Sequence, residues 1–245
     1  MIIPKKSLGQ NFLKDKNIIN KIISLTNINN QKIIEVGPGL GSLTKEIIKL
    51  NPSKLILIEK DYELYKFLKK EFDNSNTIII NDDVLNFDFK KYKNIKIISN
   101  LPYNISSKLL LRLLNFGNSI SEIICMIQSE LADKFEISKG KMNKYRFISN
   151  YTSNYEIKFN VSKSVFYPKP KVNSKVVKFT LKKQKLDIDK LNFFMKNFFI
   201  NRRKKIKSNI YFNNKIYNKY IDYRYEELKY NEILEIYKTF KFSLS

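Results

Sequence analysis

Ile33-Ile34-Glu35-Val36-Gly37-Pro38-Gly39-Leu40-Gly41-Ser42-Leu43-Thr44 is the stretch on which the architecture of this chain turns. A short apolar run stops at three glycines spaced two apart, and an amphipathic run, Leu43 to Leu50, begins directly after it. That order predicts a strand, a tight turn and a helix. Glycines at alternate positions let the backbone approach a bound molecule closely, because no Cβ stands in the way. The spacing is G-x-G-x-G and not the G-x-G-x-x-G dinucleotide fingerprint. Nucleotide binding and an ordinary tight turn both stay open at this point.

The same grammar repeats on either side. A helical pattern at Ile18, Ile19, Ile22, Ile23 and Leu25 precedes the first strand, Lys32 to Val36. Asn51-Pro52 breaks the chain before a second strand, Lys54 to Glu59, and Tyr62 to Phe72 is the next helix. Thr77 to Ile80, Ile95 to Ser99 and Glu122 to Gln128 read as further strands, with Ile105 to Phe116 helical. Strands separated by helices predict an α/β doubly wound parallel sheet, with ligand sites at the carboxyl ends of the strands. After about residue 150 the pattern changes. Tyr155 to Val161 and Lys175 to Leu181 alternate around Phe166-Tyr167-Pro168-Lys169-Pro170-Lys171, which predicts an antiparallel pair at the edge of the sheet. From Asp187 the period is helical; Leu191, Phe194, Met195, Phe198 and Phe199 form one stripe, read as core, and Arg202-Arg203-Lys204-Lys205 follows it. The expected division is residues 1–184 as the doubly wound domain and 185–245 as a small helical domain.

Lys and Arg number 46 against 23 Asp and Glu, a formal net charge of +23, so a polyanionic partner is expected, nucleic acid first. Only Arg112, Arg146, Arg202, Arg203 and Arg224 are arginines, a bias that an AT-rich coding sequence produces without selection for binding. That bias does not explain the scarcity of acids. Histidine is absent, which removes His triads, His general bases and His metal ligands. The single cysteine, Cys125, sits in an apolar run and reads as a buried strand thiol; no internal disulfide or cysteine zinc site can form, and no metal is expected. No apolar run reaches the length of a membrane span, and Met1-Ile2-Ile3-Pro4-Lys5-Lys6 is not patterned as a signal peptide. A cytoplasmic protein is expected, with an organelle matrix as the alternative.

Three acids stand where a doubly wound fold uses them. Glu59 ends the second strand, where an acid accepts hydrogen bonds from the ribose of an adenosine-containing cofactor. Asp83 follows the third strand, placed to meet an adenine amino group. Glu35 lies beside the glycine loop, to fix it or to face the cofactor's charged end. The fourth strand runs into Asn100-Leu101-Pro102-Tyr103. An adenine 6-amino group is a poor nucleophile because its lone pair is delocalised into the ring. It needs acceptors that draw its N–H groups out of plane and aim the lone pair at an electrophilic methyl. The Asn100 amide oxygen and the Leu101 carbonyl can accept, and Pro102 stiffens the turn and adds no competing donor. Tyr103 offers a face for a flipped base.

With Glu35 ahead of its first glycine, the loop resembles the S-adenosylmethionine loop of Rossmann-like methyltransferases. Gly9-Gln10-Asn11-Phe12-Leu13, Glu35 to Gly41, Asn100 to Tyr103 and Phe166 to Ser174 occur in the order of one family. From about Lys5 to Leu181 the chain resembles the ribosomal RNA adenine dimethyltransferases of the small subunit, and Asn201 to Lys205 resembles the basic motif of their helical domain. The resemblance implies a Rossmann-like S-adenosylmethionine-dependent sheet with a small C-terminal α-helical domain that binds RNA and the ribosome. It implies S-adenosyl-L-methionine as cofactor, S-adenosylhomocysteine as product, and the small ribosomal subunit as partner of a monomeric enzyme. Asn11 and Leu13 would line the methionine end of the cofactor with Gly37 beside it, Gly39 would also bind the cofactor, Glu59 would hold the ribose and Asp83 the adenine. Asn100 would lie at the junction with the target base, which Tyr103 and Phe166 would sandwich. Lys5, Lys6, Arg202, Arg203 and Lys204 are the expected RNA contacts. Alternatives are a large-subunit methyltransferase of the macrolide-resistance type and a non-catalytic RNA-binding relative. Two departures stand out. Tyr145-Arg146 lacks the glycine the family carries between those residues, so a reshaped helix is expected there, and the stretch beyond Leu181 is short for the family.

Overall fold

The computed structural model describes residues 4–5, 8–209, 211–212 and 219–241. Its first half runs β1 (Phe12–Leu13), α1 (Lys16–Ile23), β2 (Lys32–Val36), α2 (Ser42–Lys49), β3 (Lys54–Glu59), α3 (Tyr62–Phe72), β4 (Thr77–Asn81) and β5 (Ile95–Asn100). Then come α4 (Tyr103–Leu113), β6 (Ile120–Gln128), α5 (Ser129–Phe135), α6 (Lys144–Thr152), β7 (Ser153–Val161), β8 (Phe166–Tyr167) and β9 (Ser174–Leu181). The helices α7 (Ile188–Phe198) and α8 (Tyr230–Thr239) end the described chain.

One sheet of seven strands has the order β4-β3-β2-β5-β6-β9-β7. The first five pair in parallel, and β9 runs antiparallel to both β6 and β7. The sheet is thus an α/β Rossmann-like one, and the edge pair expected from the alternating stretches is present with β7 outermost. Its central strands are apolar throughout because both faces are covered. Ile34, Ile56, Ile58 and Ile97 face Leu109, Leu110 and Leu113 of α4. Their neighbours Ile33, Leu55, Leu57 and Ile98 face the other way, onto Ile19 and Ile22 of α1, Ile47 of α2 and Leu68 of α3. Cys125 is fully buried on β6, and burial pushes its thiol up, which suits a packing role.

The two-residue strands β1 and β8, and the helices α5 and α6, are not among the elements expected from periodicity. In α6 the Asn143 side chain caps the N–H groups of Tyr145 and Arg146. The buried Arg146 guanidinium donates to the carbonyls of Glu136 at 2.7 Å, Asp133 at 3.1 Å and Lys141. The missing glycine therefore leaves a regular helix. α4 starts at Tyr103, two residues earlier than Ile105, because Pro102 with φ −56° occupies the position before the first helical turn. The aromatic stripe of α7 enters a third core: Leu191, Phe194, Phe198 and Phe199 pack with Phe147 of α6 and with Ile233, Ile236 and Tyr237 of α8. Met195 is half-buried and touches this core and the α4 side of the sheet alike. Among the described residues no helix is long and apolar enough to cross a membrane.

The α2 helix begins behind Gly41, whose φ of +73° is left-handed and whose missing Cβ would lie 2.3 Å from the Phe72 ring. Gly41→Ala is therefore expected to destabilise the fold by more than the roughly 1–2 kcal/mol of left-handed strain alone. Urea denaturation reads this; an unchanged midpoint would show that the loop and the Phe72 ring yield freely.

Candidate active site

The β2–β5 ladder runs only from Lys32↔Ile95 to Ile34↔Ile97. Beyond it the strands part, and the buried Ser99 hydroxyl donates to the Val36 carbonyl at 2.6 Å. A cleft of about 1030 Å³, partly open to solvent, lies past that point. The strand order reverses here, with β3 and β4 on one side of β2 and β5 and β6 on the other, which is where doubly wound sheets hold their ligands.

Gly37, Gly39 and Gly41 have φ of +62°, +60° and +73°, and the Gly41 N–H closes the turn on the Pro38 carbonyl at 2.9 Å. A Cβ on Gly37 would come within 3.2 Å of the Pro102 ring, and one on Gly39 within 2.9 Å of the Phe12 ring. The loop is thus wedged between the Asn100–Tyr103 segment and residues 8–13, which form a strap over the cleft. Asn11, Leu13, Gly37, Gly39, Glu59, Asp83, Asn100, Leu101, Pro102 and Tyr103 all line the cavity.

Each polar group there has defined partners. Glu59 is buried; its Oε2 accepts from the Gly39 N–H at 3.3 Å and its Oε1 from the Asp61 N–H at 2.9 Å. Burial raises its carboxyl above the usual range, and these two N–H groups offset part of the rise. Asp83 pairs with the Lys60 ammonium at 2.9 Å and accepts from the Leu85 N–H, which together hold its carboxyl below the usual range. Glu35 is nearly inaccessible and accepts from the Thr44 hydroxyl of α2 at 2.6 Å. Burial pushes its carboxyl up to about 8, against the pull of the Thr44 bond and with a contribution from the Glu59 charge. It ties the end of β2 to α2 from inside.

Asn100 Nδ2 donates to the Asn11 carbonyl at 2.8 Å, which leaves Oδ1 as the acceptor of that side chain. The Asn11 amide in turn donates to the Gly9 carbonyl at 3.1 Å. The Tyr103 hydroxyl shares a 2.6 Å hydrogen bond with Ser174 at the start of β9, the last residue of the Phe166 to Ser174 motif, a pairing the sequence does not show. Burial raises the Tyr103 phenol above its usual range, so it stays neutral.

Phe166 is a correction. The expected sandwich with Tyr103 needs its ring in the cleft, but Phe166 is buried in the core and does not line the cavity. The antiparallel β1–β8 pair sets it opposite Leu13, and both belong to the α1–α2 core, with Leu13 alone of the two also lining the cavity.

The expected RNA contacts are unlike one another. Lys5 makes an ion pair of 2.8 Å to the buried Asp61 and Arg202 makes one to Glu226, while more than half of each side chain stays exposed. Arg203 and Lys204 are exposed, and their side chains make no ion pair with a described residue. Lys6 lies outside the described residues. Among the described residues no group of acids and cysteines is arranged to hold a metal ion.

The ribosomal RNA adenine dimethylase family has a model that matches residues 3–243. A Hydrogenobaculum sp. (strain Y04AAS1) protein named ribosomal RNA small subunit methyltransferase A is 37% identical over 243 residues, covering 98% of this chain and 94% of its own. A protein of the same name from Mycoplasma capricolum subsp. capricolum is 41% identical over 229 residues, covering 88% of this chain and 85% of its own. Among solved structures, a dimethyladenosine transferase from Plasmodium falciparum has the same fold, with a TM-score of 0.75 over 92% of this chain and 95% of that one at 22% identity.

A carboxyl raised on folding holds a proton that the unfolded chain has released. Glu35 therefore contributes less stability as pH rises from 4.5 to about 8. In Glu35→Gln that titration is gone, so the stability gap should move in favour of the variant between pH of about 5.5 and about 8.5. Urea denaturation at the two pH values measures it; a gap independent of pH would mean Glu35 is ionised in the fold.

Proposed function

The chain belongs to the ribosomal RNA adenine dimethylase family, and we propose that it dimethylates the 6-amino groups of two adjacent adenosines near the 3′ end of small-subunit rRNA. It is an S-adenosylmethionine-dependent rRNA adenine dimethyltransferase. The observation that carries the site assignment is the meeting of the glycine loop and Asn100-Leu101-Pro102-Tyr103 in one cleft.

The residues present fit an adenosyl cofactor: a glycine turn with no Cβ toward the cleft, a buried carboxylate with lone pairs left over, and an acid beyond it. Asn11, Leu13, Gly37 and Gly39 would line its methionine end, Glu59 would accept from the ribose hydroxyls, and Asp83 from the adenine amino group. When bound, S-adenosylmethionine supplies an electrophilic sulfonium methyl. The chain's own work is on the target base. Asn100 Oδ1 and the Leu101 carbonyl accept hydrogen bonds from the amino N–H groups, turning the nitrogen lone pair toward the methyl and away from the ring. Donation from Asn100 Nδ2 to the Asn11 carbonyl keeps the amide from turning its N–H₂ toward the substrate. The Tyr103 ring, its hydroxyl tied to Ser174, supports the base from one side. After transfer the amine is positively charged and loses its proton to water, so no histidine is needed. Phe166 supports Leu13 of the strap from behind.

Residues 185–245 are assigned to gripping the particle, with Arg203 and Lys204 as the phosphate contacts and Lys5 and Arg202 as framework. The enzyme is assigned to the cytoplasm or an organelle matrix and acts as a monomer. Relatives that match nearly the whole chain are named for the small subunit, which disfavours a large-subunit target, and the complete Asn100–Tyr103 motif disfavours a non-catalytic role.

Methyl transfer to separated small and large subunits, with the modified nucleotides mapped, tests the target: adjacent dimethyladenosines in small-subunit rRNA are expected, and transfer to the large subunit would overturn the assignment. Asn100→Ala should abolish transfer while cofactor affinity stays within about tenfold, or about 1.4 kcal/mol; wild-type turnover would sink its role. Glu59→Ala should weaken cofactor binding in calorimetry, and unchanged binding would refute the ribose contact.

A further inference from the structure

We propose that Tyr167, with the ammonium groups of Lys14, Lys169 and Lys171, forms a stacking platform at the rim of the cleft for an unpaired base of the RNA strand that flanks the target adenosines. The β1–β8 ladder sets Phe12 opposite Tyr167 and Leu13 opposite Phe166. Residues opposed across a ladder share a face, and successive residues alternate. Leu13 and Phe166 therefore take the core side. Phe12 and Tyr167 take the other; both Phe12 and Leu13 line the cleft, and Tyr167 stands 55% exposed.

Three further observations make this tyrosine more than a stray surface aromatic. Lys14 Nζ lies 4.2 Å from the centre of its ring, the arrangement of a cation over a π face. Residues 157–186 contain nine lysines and no acid. Of these, Lys158, Lys175 and Lys178 are neutralised by Glu156, Asp133 and Glu122, whereas Lys169 and Lys171, in the loop after Tyr167, are exposed and unpaired among the described residues. The loop is also tied to the site at both ends. The Lys14 N–H donates to the Val165 carbonyl at 3.0 Å before Tyr167, and Ser174 after it bonds the Tyr103 hydroxyl. In this proposal a strand whose target base enters against Tyr103 leaves the cleft across this rim. An aromatic face flanked by uncompensated cations is what single-stranded nucleic acid binds, since every base has a π face and every link a phosphate.

The platform rests on the reading of the chain as an RNA methyltransferase, and the test separates the two. Anisotropy of a fluorescein-labelled single-stranded RNA with two adjacent adenosines is measured on the full chain and on Tyr167→Ala, Tyr167→Phe and Lys14→Gln, with calorimetry of S-adenosylmethionine alongside. Tyr167→Ala should weaken RNA binding roughly tenfold and raise the RNA KM while cofactor affinity is unchanged; Tyr167→Phe should keep RNA binding near wild type. Lys14→Gln should reduce the salt slope by about 0.7. RNA binding by Tyr167→Ala equal to wild type, or a loss as large in Tyr167→Phe, overturns the platform. The binding arm reads it whether or not methyl is transferred, and failure of the wild type to methylate small subunits would count against the functional reading alone.

Discussion

The Ser99 hydroxyl donates to the Val36 carbonyl at 2.6 Å in a position closed to water, two residues past the last paired residues of β2 and β5. Gly37 and Asn100 are the very next residues, so this bond sets the distance between the glycine loop and the Asn100–Tyr103 segment. A buried carbonyl left without a donor costs about 1–3 kcal/mol, and the strand ends here have no ladder to supply one. A side chain does what the backbone cannot, holding the ends together while they diverge enough to admit a ligand. Glu35 and Thr44 brace the same turn from the α2 side.

The strap is the second organising element, and it reaches four parts of the fold within a few residues. Gln10 donates to Asp61 at the N-terminus of α3, and Lys5 pairs with the same carboxylate. Burial raises the Asp61 carboxyl, but Lys5, Gln10 and the Glu63 N–H more than offset it, so it stays charged and caps the helix. Asn11 then meets Asn100, Phe12 packs under Gly39, and Leu13 joins Phe166. A chain segment that lines the cleft also holds the Asn100 amide by its nitrogen. In the function proposed above, cofactor binding and base orientation would share this one mechanical support.

Charge is distributed with similar economy. Few acids are present, and several of them serve inside: Glu59 and Asp83 at the cleft, Asp61 beneath the strap, and Glu122 between Lys96 and Lys178. Much of the lysine excess is left uncompensated on the surface, where a net charge of +23 draws a polyanion over distances limited by screening. Where the excess falls beside an exposed aromatic, as around Tyr167, a general attraction becomes a place.

Strands β2 and β3 and helix α3 were legible from residue pattern alone, end to end, since a strand buried on both faces is an unbroken apolar run and an amphipathic helix keeps its period. The cleft residues were legible too, because Gly37, Glu59, Asp83 and Asn100 sit at strand ends and the parallel sheet brings those ends together. β1 and β8 were not. Two residues carry no period, and their pairing joins positions more than 150 apart in the chain. That pairing decided that Phe166 faces the core and Tyr167 the rim, a choice a one-residue change of register would reverse. It was likewise Asp61 and Glu226, remote in sequence, that gave Lys5 and Arg202 ion-pair partners. Sequence by itself determined which chemistry the chain carries, because that chemistry is written in residue types at strand ends. Tertiary structure decided which side chains reach solvent with their charge or ring still free, because that depends on partners the local pattern does not contain.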